Sequence, residues 1–322
     1  MAMNGRALNV LRRVPRLVLT LLAVSLCTFL LTDLLPGDPA LTILGENATD
    51  AQITSLREDL RLDDGIHERY AGWLGDALTG DLGTSYRTGQ SVVEAIGERL
   101  PVTLELGLVS LALSLMVSVP LAIWSAHRAG GLVDRVLTTI SFGLMSVPSF
   151  MLALFLIIVF AVRLGWLPST GWVRLTDDPV ANIKSIILPA VALGANEIAV
   201  FMRVLRSDMV STLQQDSITM AKAKGLSTSR VLLAHALRPS SMSLMTVVGV
   251  QVGALVGGSV IIEQMFGLPG LGRLLVDSIA SRDLITVQGL ALVIGASVIV
   301  VNFVTDSLYT LIDPRIRSDR DD

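Results

Sequence analysis

Charge is scarce in this sequence. Of its 322 residues only 16% are charged, 52% are hydrophobic, and the mean hydropathy is +0.65. Soluble domains carry about 25% charged residues, so this chain is short of side chains with which to face water. A lipid bilayer supplies the missing solvent. The net charge of −3 is too small to suggest nucleic acid as a partner. Cysteine is limited to Cys27, within the first apolar run, which excludes an intrachain disulfide and a thiolate metal cluster. The three histidines, His67, His127 and His235, stand apart and show no metal-ligand spacing. A Gly-x-x-x-x-Gly-Lys-Ser/Thr phosphate loop is missing too; the sequence has no Gly-Lys pair at all, so it cannot hydrolyse ATP by the usual route.

Long apolar runs are what the chain does have. A helix needs about 20 apolar residues to cross the hydrocarbon core. Six windows meet that test: 14–35, 102–124, 136–162, 185–204, 241–262 and 284–308. Arg12, Arg13 and Arg16 precede the first, as in a secretory signal, but its apolar run reaches Leu35 and meets Pro36-Gly-Asp-Pro39 rather than a small-residue cleavage site. We read it as a retained span. With the N-terminus in the cytoplasm, the inner segments hold 15 Lys and Arg residues against 10 in the longer outer segments, which follows the positive-inside preference. An even number of spans returns the C-terminus to the cytoplasm. The expectation is an all-α polytopic membrane protein with six transmembrane helices.

The outer segment 36–100 differs in composition, with 12 acidic residues against 5 basic ones. Ile53, Leu56 and Leu60 recur at helical spacing after Asp50, a plausible N-cap, and Tyr70 to Leu78 brings Trp73 and Leu74 together. Gly80-Asp-Leu-Gly-Thr-Ser85 then reads as a loop. This predicts a small helical extracytoplasmic lobe, either a cap on the helices or a docking surface. The chain thus divides into 1–35, a cytoplasmic N-terminus and first span; 36–100, the lobe; 101–312, a five-span core; and 313–322, a cytoplasmic tail.

Between the fourth and fifth spans, residues 214–224 are good helix formers ending in Lys222 and Lys224, which suit a helix C-terminus. Gly225 sits where a left-handed residue is wanted, with apolar Leu226 after it. Ser227 can cap a second helix, which Pro239 is expected to end. Small residues Ala221, Ala223 and Gly225 would let another protein approach closely.

The run Ala221-Lys-Ala-Lys-Gly-Leu-Ser227, followed by Val231-Leu-Leu-Ala-His-Ala-Leu-Arg-Pro239, resembles the "EAA" coupling loop of ABC importer permeases, above all the dipeptide/oligopeptide permease family. Further fragments carry the resemblance along the chain: Leu34-Leu-Pro-Gly-Asp-Pro39, Gly80-Asp-Leu-Gly-Thr-Ser85, Glu98-Arg-Leu-Pro-Val-Thr-Leu-Glu105, Gly267-Leu-Pro-Gly-Leu-Gly-Arg273 and Asp313-Pro-Arg315. Lys222 stands where the general importer motif has an acidic or small residue, and Arg61 and Gly65 replace a glycine and a proline of a turn in the lobe. The resemblance implies a type I ABC importer permease fold in a bacterial plasma membrane. It also implies a second homologous permease, two cytoplasmic ATPase subunits that bind ATP and magnesium, and an extracytoplasmic solute-binding protein. No cofactor belongs to this chain itself. It places the coupling loop at about 206–239, with its ATPase-facing surface on Asp216, Met220, Ala221, Lys222, Ala223, Lys224, Gly225, Leu226 and Ser227. Di- or oligopeptides are the implied substrate, with nickel, glutathione or another small solute as alternatives.

Five residues are candidates for the translocation path. Gly249, Gly253 and Gly257 form a ridge on the fifth span that allows close approach of a helix or a substrate backbone. Glu197, at mid-depth in the fourth span, is costly in lipid and needs a partner or water; no basic residue lies three or four positions away. Glu263 ends the fifth span, where local amides or water could equally satisfy it. Asn302 and Asp306, four residues apart on the sixth span, suit hydrogen bonding between helices. An ion-coupled secondary transporter would show inverted repeats, broken paired helices and carboxylates near the midplane, and an intramembrane enzyme a nucleophile–base or metal constellation. Neither pattern is evident.

Overall fold

Proline and glycine break the apolar runs at some points, as at Pro148 and Gly267, while Pro101, Pro120, Pro189 and Pro239 lie inside helices. The computed structural model describes residues 14–33, 40, 44, 48–59 and 62–312. In chain order the helices are α1 (Val14–Asp33), α2 (Asp50–Asp59), α3 (Ile66–Thr79), α4 (Val92–His127), α5 (Leu132–Ser146), α6 (Ser149–Leu156), α7 (Pro179–Leu213), α8 (Asp216–Ala223), α9 (Thr228–Arg230), α10 (Leu237–Phe266), α11 (Leu271–Ala280) and α12 (Leu284–Ile312). Two π-helical turns, Ile157–Arg163 and Val231–Ala236, continue α6 and join α9 to α10. Strand structure among the described residues is a single antiparallel bridge between Thr84 and Ser91.

The described residues of the six apolar windows are helical except at Val147 and Pro148, and α4, α7, the run from Thr228 and α12 are each long and apolar enough to cross a membrane. The third window is not one rod. Pro148 lacks an amide donor and pushes Val147 into extended backbone (φ −95°, ψ 120°). The pair α5 and Ser149–Arg163 is therefore bent by 101°. Leu34-Leu-Pro-Gly-Asp-Pro39, Leu60, Arg61, and the tail 313–322 with Asp313-Pro-Arg315 lie outside the described residues.

The chain forms two units. One holds the described parts of residues 1–103 together with 269–303. Its lobe helix α3 is tied to α1 by aromatic contact: the Phe29 ring lies 5.5 Å from Tyr70 and 5.8 Å from Trp73. Ser25 and the Tyr70 hydroxyl also hydrogen-bond at 2.8 Å. The expected cap of α2 is displaced by one residue. Thr49, not Asp50, caps it, because Gln52 Oε1 accepts from the Thr49 amide (3.0 Å) while Thr49 Oγ1 accepts from the Gln52 amide (3.4 Å), a reciprocal box. Leu82, Val92, Ile96, Leu271 and Leu290 make the core of this unit.

The other unit holds 104–268 and the described residues after 303. Its axis is α7, with 72% of its apolar window buried within the chain, against 28% for α4. The sequence starts α7 firmly: Asp178 accepts from the amides of Val180 (2.9 Å) and Ala181 (3.0 Å), and Pro179 occupies the first turn. Phe201, Met202, Leu205 and Met209 of α7 pack with Ala122 and Ala126 of α4 and Leu244 of α10. Higher up, α4 and α7 meet at Gly194, where an added Cβ would stand 2.5 Å from Ser114 Oγ and 3.0 Å from the Ser110 carbonyl. Ser114 Oγ donates to the Gly194 carbonyl at 3.0 Å. Small side chains set that separation.

Candidate functional site

The segment between α7 and α10 starts later than its sequence suggests. Residues 206–213 belong to α7, which runs on to Leu213, and α8 begins after a two-residue turn. Ile218 and Ala221 are its buried anchors, at 2% and 7% exposure, whereas Met220 is 62% exposed. Asp216, Lys222, Ala223, Lys224, Gly225 and Ser227 are exposed, and Leu226 is half-buried. Ala221 is therefore spent on internal packing, and Ala223 and Gly225 are the small residues left at the surface.

Gly225 closes α8 as expected. Its φ is +77°, its amide donates to Lys222 O at 3.0 Å, and the Leu226 amide reaches Ala221 O at 3.3 Å. Ser227 takes the capping position of α9 in extended backbone, without a side-chain cap hydrogen bond. Pro239 does not end the helix. The helix runs without a break from Thr228 through the π-helical turn Val231–Ala236 into α10, and Pro239 lies inside it, three residues after that turn. Thr212 and Ser240 hydrogen-bond at 3.1 Å, closing the base of the segment. The result is a short helix held from beneath, with a small, basic and partly apolar outer face that a second protein can grip.

Among the path candidates, the structure brings Glu197 to α10. Glu197 is 7% exposed, and its Oε2 accepts from Gln251 Nε2 at 2.5 Å. At 3.6 residues per turn, Gln251 and Gly258 share one face of α10, and Gly249, Gly253 and Gly257 lie on nearly the opposite one. The glycine that meets α7 is accordingly Gly258, whose added Cβ would stand 3.4 Å from Leu193 Cδ1. Gly249 and Gly253 are buried, whereas Gly257 is exposed, with nothing within 4 Å of an added Cβ. Glu263 is fully buried at 0%, one turn before the left-handed Gly267 that closes α10. Asn302 is exposed, and the side chain of Asp306 lies outside the described residues.

Two polar clusters escaped the sequence reading. In the first, Arg206 of α7 donates through Nε to Asp134 Oδ1 (2.5 Å) and through Nη2 to Oδ2 (2.6 Å). Ser125 Oγ (2.6 Å) and the Gly130 amide (2.8 Å) also donate to that carboxylate. Asp134 is 4% exposed, so α4, α5 and α7 converge on one buried anion. In the second, Glu105 accepts from Trp172 Nε1 (3.0 Å) and Asn182 Nδ2 (2.7 Å), and the Gly171 amide donates to Phe266 O at 3.0 Å. The stretch before α7 is thereby fastened to α4, α7 and α10. Acidic residues flanking spans look like solvated loop residues in a sequence, and only the pairing of Asp134 with an arginine 72 positions away sets it apart.

Comparison with known proteins agrees along nearly the whole chain. Residues 118–318 match the family described as "Binding-protein-dependent transport system inner membrane component", and residues 8–107 match its N-terminal membrane component. A putative peptide transport system permease protein of Brucella abortus is 41% identical over 310 residues, covering 96% of this chain and 99% of that protein. The oligopeptide transport system permease protein AppB of Bacillus subtilis is 37% identical, covering 96% and 99%. The di/tripeptide transport system permease protein DppB of Pseudomonas aeruginosa is 36% identical, covering 96% and 98%. With its helices, its apolar windows and these matches taken together, the chain belongs to the binding-protein-dependent transport system inner membrane components: it is the membrane-embedded permease of an ABC importer, not its ATPase.

Proposed function

We propose that this chain, with a second homologous permease, forms the path by which di- or oligopeptides enter a bacterial cell. An extracytoplasmic solute-binding protein delivers the peptide, and two cytoplasmic subunits bind ATP and magnesium and supply the energy. The N- and C-termini lie in the cytoplasm, as the distribution of Lys and Arg favours, and the lobe of residues 36–100 lies outside. Peptide as the substrate rests on what the relatives above transport.

The observation that carries the mechanical part is the build of the segment from Gln214 to Pro239. Helix α8 and the residue after it offer Met220, Lys222, Ala223 and Lys224 outward, while Ile218 and Ala221 bind the helix to its own unit. Force applied to the exposed face therefore passes into the helices that flank it. At one end stands α7, whose Glu197 meets Gln251; at the other, the Val231–Ala236 turn leads into α10, which carries Gly249, Gly253 and Gly257. ATP-driven closure of the ATPase pair would shift α7 and α10 together and change which side of the membrane reaches the path.

Replacing Gly225 tests this. A β-branched residue at φ +77° is strained by about 1–2 kcal/mol, enough to distort the end of α8 and little enough to spare the membrane helices. Gly225→Val is expected at normal abundance, with uptake of a labelled dipeptide lost and ATPase co-purification reduced. Normal uptake by that variant would overturn the coupling role.

A further inference from the structure

Arg282 is the one described residue other than glycine with a positive φ, at 58°. It sits just past α11, where the Arg282 amide donates to Ile279 O at 3.1 Å and the Asp283 amide to Ser278 O at 2.9 Å. That bond pattern asks for a left-handed residue, and glycine meets the demand without the steric cost an L side chain carries. A residue held against that cost, with its side chain exposed, is one whose side chain is put to use.

Its surroundings indicate the use. Asp283 is buried, and its Oδ2 accepts from Ser85 Oγ (2.6 Å) and Thr286 Oγ1 (2.7 Å). Ser85 Oγ in turn accepts from the amides of Arg87 (3.2 Å) and Thr88 (3.1 Å). The turn bearing Tyr86 and Arg87 is thus locked to the turn bearing Arg282. Both arginines are exposed, and among the described residues neither has an ion-pair partner; Tyr86 is 48% exposed. Segment 36–100 otherwise leans acidic, 12 residues to 5, so two exposed guanidinium groups on turns joined through Asp283, with Tyr86 next to Arg87 in sequence, give this place a positive charge the rest of the segment lacks. Arg and Tyr are also the residue types enriched at protein contacts.

We infer that Tyr86, Arg87 and Arg282 form a rigid basic patch that receives an acidic face of the solute-binding protein. The inference rests on the outward placement of the lobe proposed above.

The test uses the assembled importer in nanodiscs, measuring ATPase stimulation against binding-protein concentration. Arg282→Gly relieves the backbone and removes the charge, so membrane abundance and basal ATPase activity should hold. The half-saturating concentration should rise about two- to fivefold. Arg87→Glu with Arg282→Glu should raise it about tenfold at low salt, with the difference shrinking at high salt and the maximal rate unchanged. Unchanged half-saturation in both variants overturns the patch. If anionic lipid content moves the curve and the substitutions do not, the arginines face headgroups and the proposal falls as well. Orientation is read separately, by labelling Arg282→Cys with an impermeant maleimide on intact cells. Reaction only after permeabilisation sinks the outward placement and the patch together, whereas outside labelling with unmoved half-saturation sinks the patch alone.

Discussion

Removing the guanidinium of Arg206 while keeping its stem, as in Arg206→Met, should be among the most damaging single changes in the helical unit. The substitution takes away both hydrogen bonds from Arg206 and leaves the Asp134 carboxylate with only Ser125 Oγ and the Gly130 amide. Stranding one partner of a buried pair costs about 3–5 kcal/mol. The stranded Asp134 side chain is only 5% exposed, against 27% for Arg206, so water relieves little, but the two remaining hydrogen bonds offset part of the loss and about 3 kcal/mol is the expected cost. The reverse change, Asp134→Ala, strands the more exposed partner, whose guanidinium can turn to water; about 1–2 kcal/mol is expected there. The two costs should therefore be unequal, and the double variant should be less damaged than their sum. A double-mutant cycle on thermal unfolding in detergent reads this directly, with a coupling energy of about 1–3 kcal/mol expected for residues in one network. Coupling below about 0.5 kcal/mol would show the pair to be ornamental, and the idea that this anion gathers α4, α5 and α7 would be wrong.

Gly194→Val should lower the yield of folded protein, since its first carbon already falls within 2.5 Å of Ser114 Oγ and the cost of such overpacking is about 1–3 kcal/mol; Ser114→Gly in the same chain should recover part of the yield. Glu197→Gln should keep a partner for Gln251, whereas Glu197→Ala leaves that amide with one hydrogen bond fewer in a buried site, so only the second should reduce thermal stability, by about 1–3 kcal/mol. A cysteine at 253, labelled from each side with and without a non-hydrolysable nucleotide, should change its accessible side if the glycine ridge borders the path; unchanged labelling in a transport-competent complex removes it. Crosslinkers placed between residues 50 and 95 should capture the binding protein, and capture only through other loops would make the lobe a cap.

Much of this was written in the sequence in forms that local physics can read. The apolar windows marked their helices because length and hydropathy suffice for that, and the Lys222–Ser227 run announced its turn because few residues other than glycine tolerate φ +77°. What stayed hidden depends on contacts distant in sequence. Asp134 and Arg206 are 72 residues apart and Ser85 and Asp283 are 198 apart; neither pairing has a local pattern. The Pro239 expectation failed for a different reason. A proline can be carried inside a long helix, as Pro101, Pro120 and Pro189 also are, and the π-helical turn at Val231–Ala236 that precedes Pro239 leaves no mark in composition. The glycine ridge shows the same limit, since four-residue spacing identifies a smooth face but not what lies against it, and the glycine that packs on α7 is Gly258.

The bend at Pro148 has a geometric consequence for the third crossing. Its two arms have 15 residues each, about 22 Å at the helical rise. At 101° they form a chevron with tips about 29 Å apart, barely the thickness of the hydrocarbon, about 30 Å. To reach both interfaces, each arm must lean about 50° from the membrane normal, beyond the 0–40° range of ordinary spans. The apex then falls at mid-depth, where backbone no longer wound into helix must not meet lipid. Val147 and Phe150 beside it are 40% and 46% exposed in the single chain. The chain itself closes part of the joint, since the Val147 amide donates to Leu144 O (3.3 Å) and the Met151 and Leu152 amides reach Pro148 O (3.0 and 3.2 Å), so what the apex turns outward is mainly apolar side chain.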